Sequence, residues 1–291
     1  MINKISIIGG DYRFVKLAGM LIEEGVEVLT YALDCSEEEF YNEIQDCNSI
    51  DEAIGKSNII LGPIPLSSNG ISINAPFSDK KIECDTLIEK LKNKIFIAGN
   101  INDEIIEKAS LNNVKVIDIL KREELAVLNA ISTAEGTLKI AIEETTTNVH
   151  GSNVLILGFG RIAKVLANMM NGIGANVSCA ARRNEPLAWV RAYGYNPIKL
   201  ENINEELKKF DIIVNTIPHI ILDDSNLDLV KSGTLIIDLA SNPGGVDREV
   251  VKEKNIKFIW ALSIPGKIAP VTSAEFIKET LYNIYNELNI T

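Results

Sequence analysis

The sequence predicts an α/β protein with two doubly wound, parallel-sheet domains and linker helices. Three features predict this class: short apolar runs alternate with helical periodicity, a glycine-rich turn joins one apolar run to a helix, and helical stretches flank the second set of runs. Strands that alternate with helices form parallel sheets covered on both faces. A chain of 291 residues is long enough for two such domains.

The composition is that of an ordinary globular protein, with 46% hydrophobic and 24% charged residues. The net charge is −11 and no long basic tract offsets it, so we expect no nucleic-acid partner. Four cysteines without a C-x-x-C pair, and two histidines, predict reduced thiols and no metal site. The N-terminus resembles a strand rather than a signal peptide, and no apolar run reaches the length of a membrane span, so we expect a cytoplasmic protein.

The first domain is predicted over residues 1–130, as a substrate-side α/β unit. Its candidate strands are Lys4–Ile8, Val26–Tyr31, Asn58–Leu61, Ile95–Ala98 and Val114–Ile119. Apolar residues at helical spacing predict helices between them, over Phe14–Glu24, Glu83–Leu91 and Asp103–Ala109.

The second domain is predicted over residues 131–270, as a cofactor-binding unit. Its candidate strands are Val154–Leu157, Val177–Ala180, Pro197–Lys199, Ile212–Asn215, Leu235–Leu239 and Phe258–Ala261. A linker helix is predicted over 133–147, because apolar residues recur there at spacing four without an internal proline. A last helix, 271–291, is expected to pack back onto the first domain, which leaves the active site in the cleft between the domains.

The stretch 153–163 carries the strongest functional signal. An apolar run ends in Gly158-x-Gly160-x-x-Ala163, and helical periodicity follows at once. Gly158 permits a tight turn, Gly160 lets a pyrophosphate approach the backbone, and Ala163 allows close helix–strand packing. The free N–H groups at the helix start, near Arg161 and Ile162, then face the anion. This context predicts a Rossmann-like dinucleotide site.

The end of the next strand predicts which dinucleotide binds. An NAD site has an acidic residue there for the ribose hydroxyls, but this chain reads Ala181-Arg182-Arg183-Asn184. Two guanidiniums suit a 2′-phosphate, so Arg182 and Arg183 predict NADP. A solvated basic turn without a ligand is the alternative.

Two further strand ends are expected to border the nicotinamide. They supply the remaining candidate cofactor-binding residues: Thr216, Ile217, Pro218, Ala240 and Ser241. His219 follows the first of these strand ends, and an imidazole side chain there would suit a general acid or base. A structural role for a lone histidine is the alternative.

Substrate-binding candidates are spread along the chain. Arg13 follows the Gly9-Gly10-Asp11 turn, where the alternative is a plain turn with Asp11 as helix N-cap. A second loop offers hydroxyl and N–H donors for a carboxylate, unless it is an ordinary surface loop, through Ser67, Ser68 and Gly70.

Three more candidates belong to the second domain. Ser132 or Thr133 is expected to cap the linker helix, so that Thr133 lies at an anion-binding helix start. Glu135 is a substrate-site candidate that a capping-box role would equally explain. Lys267, after the last strand, could hold a carboxylate as a point charge.

Taken together and in order, these motifs resemble the A-subunit family of dipicolinate synthases along nearly the whole chain. The resemblance rests on Ile8-Gly9-Gly10-Asp11 with Arg13, Thr133-Ala134-Glu135-Gly136-Thr137, His150-Gly151, Gly158-x-Gly160-Arg161, Asn215-Thr216-Ile217-Pro218, Asp238-Leu239-Ala240-Ser241-x-Pro243-Gly244-Gly245, and Pro265-Gly266 with Ala269-Pro270. Ser132 departs from the pattern, which would place proline there.

The resemblance implies a fold like that of the D-2-hydroxyacid and formate dehydrogenases. It implies oxidation of a dihydrodipicolinate-type dicarboxylate to pyridine-2,6-dicarboxylate with NADP during sporulation, in the mother cell. It further implies that the partner is a flavoprotein-like B subunit, and a homo-oligomer is expected. Thr133 and His219 are then the candidate catalytic residues, although proton loss to solvent remains open.

Two other functions fit the same residues. One is another NAD(P)-dependent oxidoreductase acting on a 2-hydroxy or 2-oxo acid, since the cofactor domain by itself does not select a substrate. The other is a non-catalytic NADP-binding protein that orders a partner enzyme.

Overall fold

The computed structural model describes residues 2–288 and divides into two compact units. The first unit contains the chain up to Leu128 together with the segment from Ala269 onward, and the second contains Asn129–Ile268. Each unit is built on a six-stranded parallel sheet covered by helices. The predicted fold class, α/β with two Rossmann-like sheets, is therefore confirmed.

The first sheet has the strand order β3-β2-β1-β4-β5-β6. Its strands are β1 Lys4–Ile8, β2 Glu27–Tyr31, β3 Gln45–Asp46, β4 Ile59–Leu61, β5 Ile95–Ala98 and β6 Lys115–Asp118. Its helices are α1 Tyr12–Glu23, α2 Ile50–Lys56, α3 Cys84–Lys90 and α4 Asp103–Leu111, with 3-10 turns at Glu39–Glu43 and Ile119–Lys121.

A 22-residue helix, α5 Glu123–Glu144, leads into the second unit. The second sheet has the order β12-β11-β10-β7-β8-β9. Its strands are β7 Asn153–Leu157, β8 Asn176–Ala181, β9 Asn196–Lys199, β10 Ile212–Asn215, β11 Leu235–Asp238 and β12 Lys257–Trp260. Its helices are α6 Arg161–Gly172, α7 Asn184–Ala192, α8 Ile203–Glu206, α9 Arg248–Glu253 and α10 Ile264–Ile268, with 3-10 turns at Leu200–Asn202, Leu207–Lys209 and Leu227–Leu229.

The last helix, α11 Pro270–Glu287, joins the core of the first unit. Its buried residues Ile277, Leu281 and Ile284 share one hydrophobic cluster with Phe14 and Leu17 of α1. Burial of apolar side chains at this spacing is what holds an amphipathic helix against its neighbour. The end of the predicted helix 271–291, residues 289–291, lies outside the described residues.

The predicted start of the linker helix at residue 133 is wrong, because α5 begins ten residues earlier, at Glu123. Ser132 and Thr133 lie inside the helix and are buried. The Thr133 hydroxyl donates to the Asn129 carbonyl at 2.8 Å, one turn back, so it caps nothing. Because no helix starts at residue 133, the expected anion site there and the capping-box role of Glu135 are also wrong.

Helix α5 also bears on the expectation that the chain has no membrane-length apolar run. By length and composition this helix could cross a membrane: its mean hydropathy is 1.3, and 39% of the apolar window is buried inside the protein. One such helix is weak evidence for a span, since core helices of soluble proteins meet the same criterion.

Candidate functional site

The glycine-rich turn lies at the carboxyl end of β7, where the second sheet changes its strand order between β7 and β10. Ligands of doubly wound sheets bind at such switch points. Gly158 has a φ of +96°, and a Cβ there would lie 2.5 Å from Thr216 Oγ1. The Thr216 hydroxyl donates to the Leu157 carbonyl at 2.8 Å, which ties the ends of β7 and β10 together. Glycine is therefore required at 158 for both backbone conformation and space.

Helix α6 begins directly after this turn, with Gly160 as its N-cap residue and no side-chain capping hydrogen bond. A Cβ at Gly160 would meet no atom within 4 Å, so the space in front of the helix start is open. The side chain of Ala163 is fully buried against β7. Each position in the motif thus has the geometry that a pyrophosphate bound at a helix N-terminus requires.

A cavity of about 460 Å³ adjoins Gly158. Arg182, Arg183 and His219 all line it. Its other lining residues are mostly apolar: Ala181, Pro186, Leu200, Ile217 and Ile221. Apolar walls with a few polar groups are typical of a small-molecule site. The structure therefore brings the two predicted arginines to the glycine-rich turn.

The same cavity changes the interpretation of His219. The sequence placed this histidine beside the nicotinamide as an acid–base candidate, whereas its exposed side chain lines the cavity that holds Arg182 and Arg183. These arginines follow β8, on the half of the sheet opposite β11 and β12. The structure thus places the His219 side chain in the same cavity as the two arginines.

The ends of β10 and β11 are joined by a buried polar bridge that the sequence reasoning missed. Asn215 and Asp238 are register partners, and Asn215 Nδ2 donates to Asp238 Oδ1 at 2.7 Å. Asp238 Oδ1 also accepts from the Ala240 N–H at 3.0 Å, and Oδ2 accepts from the Gly245 N–H at 2.7 Å. The signal was available, because Asp238 closes an otherwise apolar strand at its carboxyl end.

The two tryptophans flank these features. Trp260 Nε1, at the end of β12, donates to the Ala240 carbonyl at 2.9 Å, and the Arg248 guanidinium stacks 4.3 Å from its ring centroid. Trp189, on α7 after the arginine turn, is about half exposed and stacks on Tyr193 with ring centroids 5.8 Å apart. Trp260 thus holds the loop after β11 through the Ala240 carbonyl, whereas Trp189 belongs to the other half of the sheet.

In the first unit, Arg13 is buried at the start of α1, with its side chain 10% exposed. Its Nε and Nη2 donate to the Asp11 carboxylate, at 2.9 and 2.7 Å, and Nη2 also donates to the Ile64 carbonyl. Asp11 is in addition the N-cap of α1 through the Arg13 N–H. The guanidinium predicted to bind substrate is therefore already paired with a carboxylate.

The loop that carries Ser67, Ser68 and Gly70 is organised by its own hydrogen bonds. The Gly70 N–H donates to Ser67 Oγ at 2.9 Å, and Ser68 Oγ donates to the Asn74 amide oxygen at 2.7 Å. The Asn74 carbonyl in turn accepts from the Gly10 N–H at 2.9 Å. The loop and the glycine turn after β1 therefore meet at one edge of the first sheet.

The remaining candidates belong to the second unit but lie on helices α5 and α10, not on the turn between β7 and α6. Lys267 is exposed on the short helix α10, which packs against α5 where Gly136 would place a Cβ 2.2 Å from Ile264. Glu135 is exposed on α5. The buried hydroxyl of Thr133 is used within its own helix, so its predicted catalytic and substrate roles lack a free donor.

Across residues 2–288, no group of three or more His, Cys, Asp or Glu side chains is arranged to hold a metal ion. All four cysteines are free and buried. Burial raises the pKa of the Cys179 and Cys35 thiols to about 12, with nearby carboxylates adding to the effect at Cys35. Neither thiol is therefore suited to act as a nucleophile.

Two families match successive parts of the chain. Residues 4–120 match the N-terminal domain of dipicolinate synthase A subunits, and residues 125–252 match the NAD binding domain of D-isomer specific 2-hydroxyacid dehydrogenases. The second match covers the glycine-rich turn and the cavity beside it. The second unit accordingly binds a nicotinamide dinucleotide, and the chain is an oxidoreductase.

Relatives align over nearly the full length. The chain is 30% identical over 287 residues to the dipicolinate synthase A subunit of Bacillus subtilis (strain 168), covering 98% of this chain and 96% of that protein. Crystal structures of two dipicolinate synthase A subunits superpose with TM-scores of 0.89. That of Bacillus halodurans is 28% identical and covers 97% of both chains; that of Bacillus subtilis is 29% identical and covers 99% of this chain and 97% of the other.

A transhydrogenase from Sinorhizobium meliloti shares the fold at 16% identity, with a TM-score of 0.70 over 98% of this chain and 94% of the other. The full-length match and the two successive domains agree with the motif order read from the sequence. The chain belongs to the family of dipicolinate synthase A subunits.

Proposed function

We propose that this protein oxidises a dihydrodipicolinate-type cyclic dicarboxylate to dipicolinate, pyridine-2,6-dicarboxylate, with reduction of NADP+ to NADPH. The observation that carries the proposal is the cavity in which Arg182 and Arg183 adjoin the glycine-rich turn, in a chain 30% identical to one of the dipicolinate synthase A subunits. Dihydrodipicolinate loses a hydride and a proton, so one dinucleotide accepts two electrons for each pyridine ring formed. Aromatisation supplies the driving force, and positioning supplies most of the catalysis.

The cofactor is proposed to bind along the carboxyl edge of the second sheet. The open helix start at Gly160, with Arg161 and Ile162 following, receives the pyrophosphate. Arg182 and Arg183 bind the 2′-phosphate, because a planar guanidinium pairs with phosphate oxygens through parallel hydrogen bonds. His219 joins them at the adenosine end. When bound, the nicotinamide supplies the hydride acceptor.

The rest of the cofactor is proposed to lie against the loops after β10 and β11. These loops contribute Thr216, Ile217, Pro218, Ala240 and Ser241. We assign no residue as general base, because His219 lines the cavity that we assign to the adenosine half and the Thr133 hydroxyl is held inside α5. The ring proton then passes to solvent.

The substrate carboxylates require cations or N–H donors. We propose Lys267 as the first of these, because its ammonium group is on an exposed side chain. Arg13 and the loop residues Ser67, Ser68 and Gly70 are proposed as further contacts. The charge of Arg13 is largely neutralised by Asp11. Arg13 would therefore contribute as much by fixing the loop after β4, through the Ile64 carbonyl, as by attracting an anion.

The remaining proposals follow from the family. Its members are named as one subunit of a synthase, which implies a multi-subunit enzyme. We propose that the partner is a flavoprotein-like B subunit, with the complex acting in the cytoplasm of the mother cell during sporulation. A homo-oligomer of this chain is proposed as well.

The test is to co-express this chain with a candidate B subunit and supply dihydrodipicolinate with NADP or NAD. The expected result is equimolar formation of dipicolinate and NADPH, both measured by ultraviolet absorbance after chromatographic separation. The Arg182→Gln/Arg183→Gln variant serves as the matched control for cofactor choice. Oxidation of a 2-hydroxy acid instead would favour another dehydrogenase activity, and tight dinucleotide binding without turnover in any mixture would favour a non-catalytic role.

A further inference from the structure

The buried carboxylate of Asp238 has no part in the function proposed above, yet it lies at the sheet edge proposed to bind the cofactor. Asp238 is 1% exposed, and Asn215 beside it is fully buried. We propose that these two side chains are positioning residues, which hold the loops after β10 and β11 in the shape that receives the nicotinamide half of the dinucleotide. The proposal rests on the second unit being the dinucleotide-binding unit.

One carboxylate organises both loops. Asp238 accepts from the Asn215 side chain and from the backbone N–H groups of Ala240 and Gly245. Asn215 completes the connection, because its Nδ2 also donates to the Ile217 carbonyl at 2.9 Å and its Oδ1 accepts from the Ile217 N–H at 3.1 Å. Hydrogen bonds to a buried charge are strong and directional, so the two loops cannot move independently.

The backbone packs directly on these two side chains. A Cβ at Gly244, where φ is +87°, would lie 2.8 Å from Asp238 Oδ2. A Cβ at Gly245 would lie 2.1 Å from Asn215 Nδ2 and 2.7 Å from the Ile217 carbonyl oxygen. Such contacts leave room for glycine alone, so the loop conformation depends on both side chains.

The bridge lies on one half of the sheet. The arginine-lined cavity follows β8, whereas the Asn215–Asp238 bridge joins β10 and β11, which lie on the other side of the switch point between β7 and β10. Each half of a doubly wound sheet binds one mononucleotide half of the cofactor. Disturbing the bridge should therefore weaken binding of the nicotinamide half and leave the adenosine half unaffected.

The experiment compares two probes by calorimetric titration: NADP and the fragment adenosine 2′,5′-bisphosphate. In Asp238→Asn an amide NH2 faces N–H donors, and we expect NADP affinity to fall about tenfold or more, the size of one lost charge-assisted hydrogen bond. Affinity for the fragment should stay within about twofold.

A matched control breaks a different buried bridge between the same segments. Thr234 Oγ1, 2% exposed, donates to the Phe210 carbonyl at 2.8 Å at the amino ends of β11 and β10. Thr234→Val should lower the melting temperature without changing the ratio of the two affinities. If Asp238→Asn does not fold, Asn215→Ser, which keeps the carboxylate and its two backbone donors, should lower the same ratio.

The proposal would be overturned if Asp238→Asn lost affinity equally for NADP and for the fragment. It would also be overturned if neither Asp238→Asn nor Asn215→Ser changed the ratio of the NADP affinity to the fragment affinity. The result does not depend on cofactor choice or on the substrate. If the wild-type protein binds NAD in preference to NADP, the NADP assignment fails, and the ratio is measured with NAD against AMP instead.

Discussion

Asp11 holds Arg13 in a two-point ion pair at the start of α1, while the same guanidinium donates to the Ile64 carbonyl in the loop after β4. The pair therefore connects the turns that follow β1 and β4, two neighbouring strands of the first sheet. A buried guanidinium without its carboxylate would be costly, so the pair is kept together by the fold itself.

Replacement of Arg13 tests whether this pair is structural. Arg13→Ala is expected to lower the free energy of unfolding by about 1.5–3 kcal/mol, because it removes charge-assisted hydrogen bonds and leaves Asp11 without its partner. Urea denaturation measures the loss. Lys4→Ala breaks the exposed Lys4–Glu27 pair between β1 and β2 and should cost less than about 1 kcal/mol. Full stability of Arg13→Ala, with a raised KM for the dicarboxylate, would instead favour direct substrate binding.

The arginine pair is expected to determine cofactor choice. Arg182→Gln/Arg183→Gln should weaken NADP binding by about two orders of magnitude, since each guanidinium–phosphate interaction is worth about 1.5 kcal/mol or more. NAD lacks the 2′-phosphate, so its affinity should change little. Titration with both dinucleotides gives the ratio. A similar loss for NAD would show that the arginines act on a group common to both cofactors.

His219→Asn separates binding from proton transfer. If His219 contacts the adenosine end, the variant should raise the KM for NADP several-fold with kcat unchanged, about the effect of one hydrogen bond. A general acid or base would instead lower kcat by about 10²–10⁴-fold. Steady-state kinetics at saturating NADP distinguish the two, and a large fall in kcat would return His219 to a catalytic role.

The two glycines of the turn should respond differently to alanine. Gly158→Ala places a Cβ 2.5 Å from Thr216 Oγ1 at a φ of +96°, so it should destabilise the second unit by about 1–3 kcal/mol. Gly160→Ala meets no atom within 4 Å and should fold normally. Its methyl group would occupy the space of the pyrophosphate, so dinucleotide affinity should fall. Thermal melts and titration of both variants check the contrast.

Acid sensitivity of the first unit should depend in part on Glu24. Hydrogen bonds from Lys278 and Tyr282 of α11 lower the pKa of this carboxyl below its usual value of 4.5. A lowered pKa contributes stability that is present above about pH 4.5 and is lost as the pH falls through the folded-state pKa. The side chain is 40% exposed, so the contribution is below about 1 kcal/mol. Glu24→Gln should be less stable than wild type at pH 7 and equal to it in strong acid, by thermal denaturation.

Strong, repeated signals in the sequence predict much of the fold. The unbroken apolar run Ile212–Asn215 predicts β10 at its observed bounds, because a strand buried on both faces is apolar throughout. Weak signals were missed: β3 is two polar residues at a sheet edge, and the seven-residue helix α2 is too short to show clear periodicity. The start of α5 was misplaced because Ser132-Thr133 resembles a cap, whereas the helix continues through it by internal hydrogen bonds.

The site residues likewise divide into those with a strong local signal and those without one. The glycine turn and the arginine pair were predictable, since each lies within a few residues of its strand. The Asn215–Asp238 bridge and the place of His219 depend on which strands are neighbours and which loops face each other. That information is set by the order of the sheet, and no local spacing encodes it.

The two tryptophans are intrinsic fluorescent probes at two different places in the second unit. Trp189, on the helix that follows the arginine turn, stacks on Tyr193 and is half exposed, while the Trp260 indole donates to the Ala240 carbonyl at the opposite half of the sheet. Selective replacement of either ring by phenylalanine would leave a single emitter at one end of the dinucleotide path. Changes in quenching and emission wavelength could then be followed separately at each end, without an added label, as cofactor fragments bind.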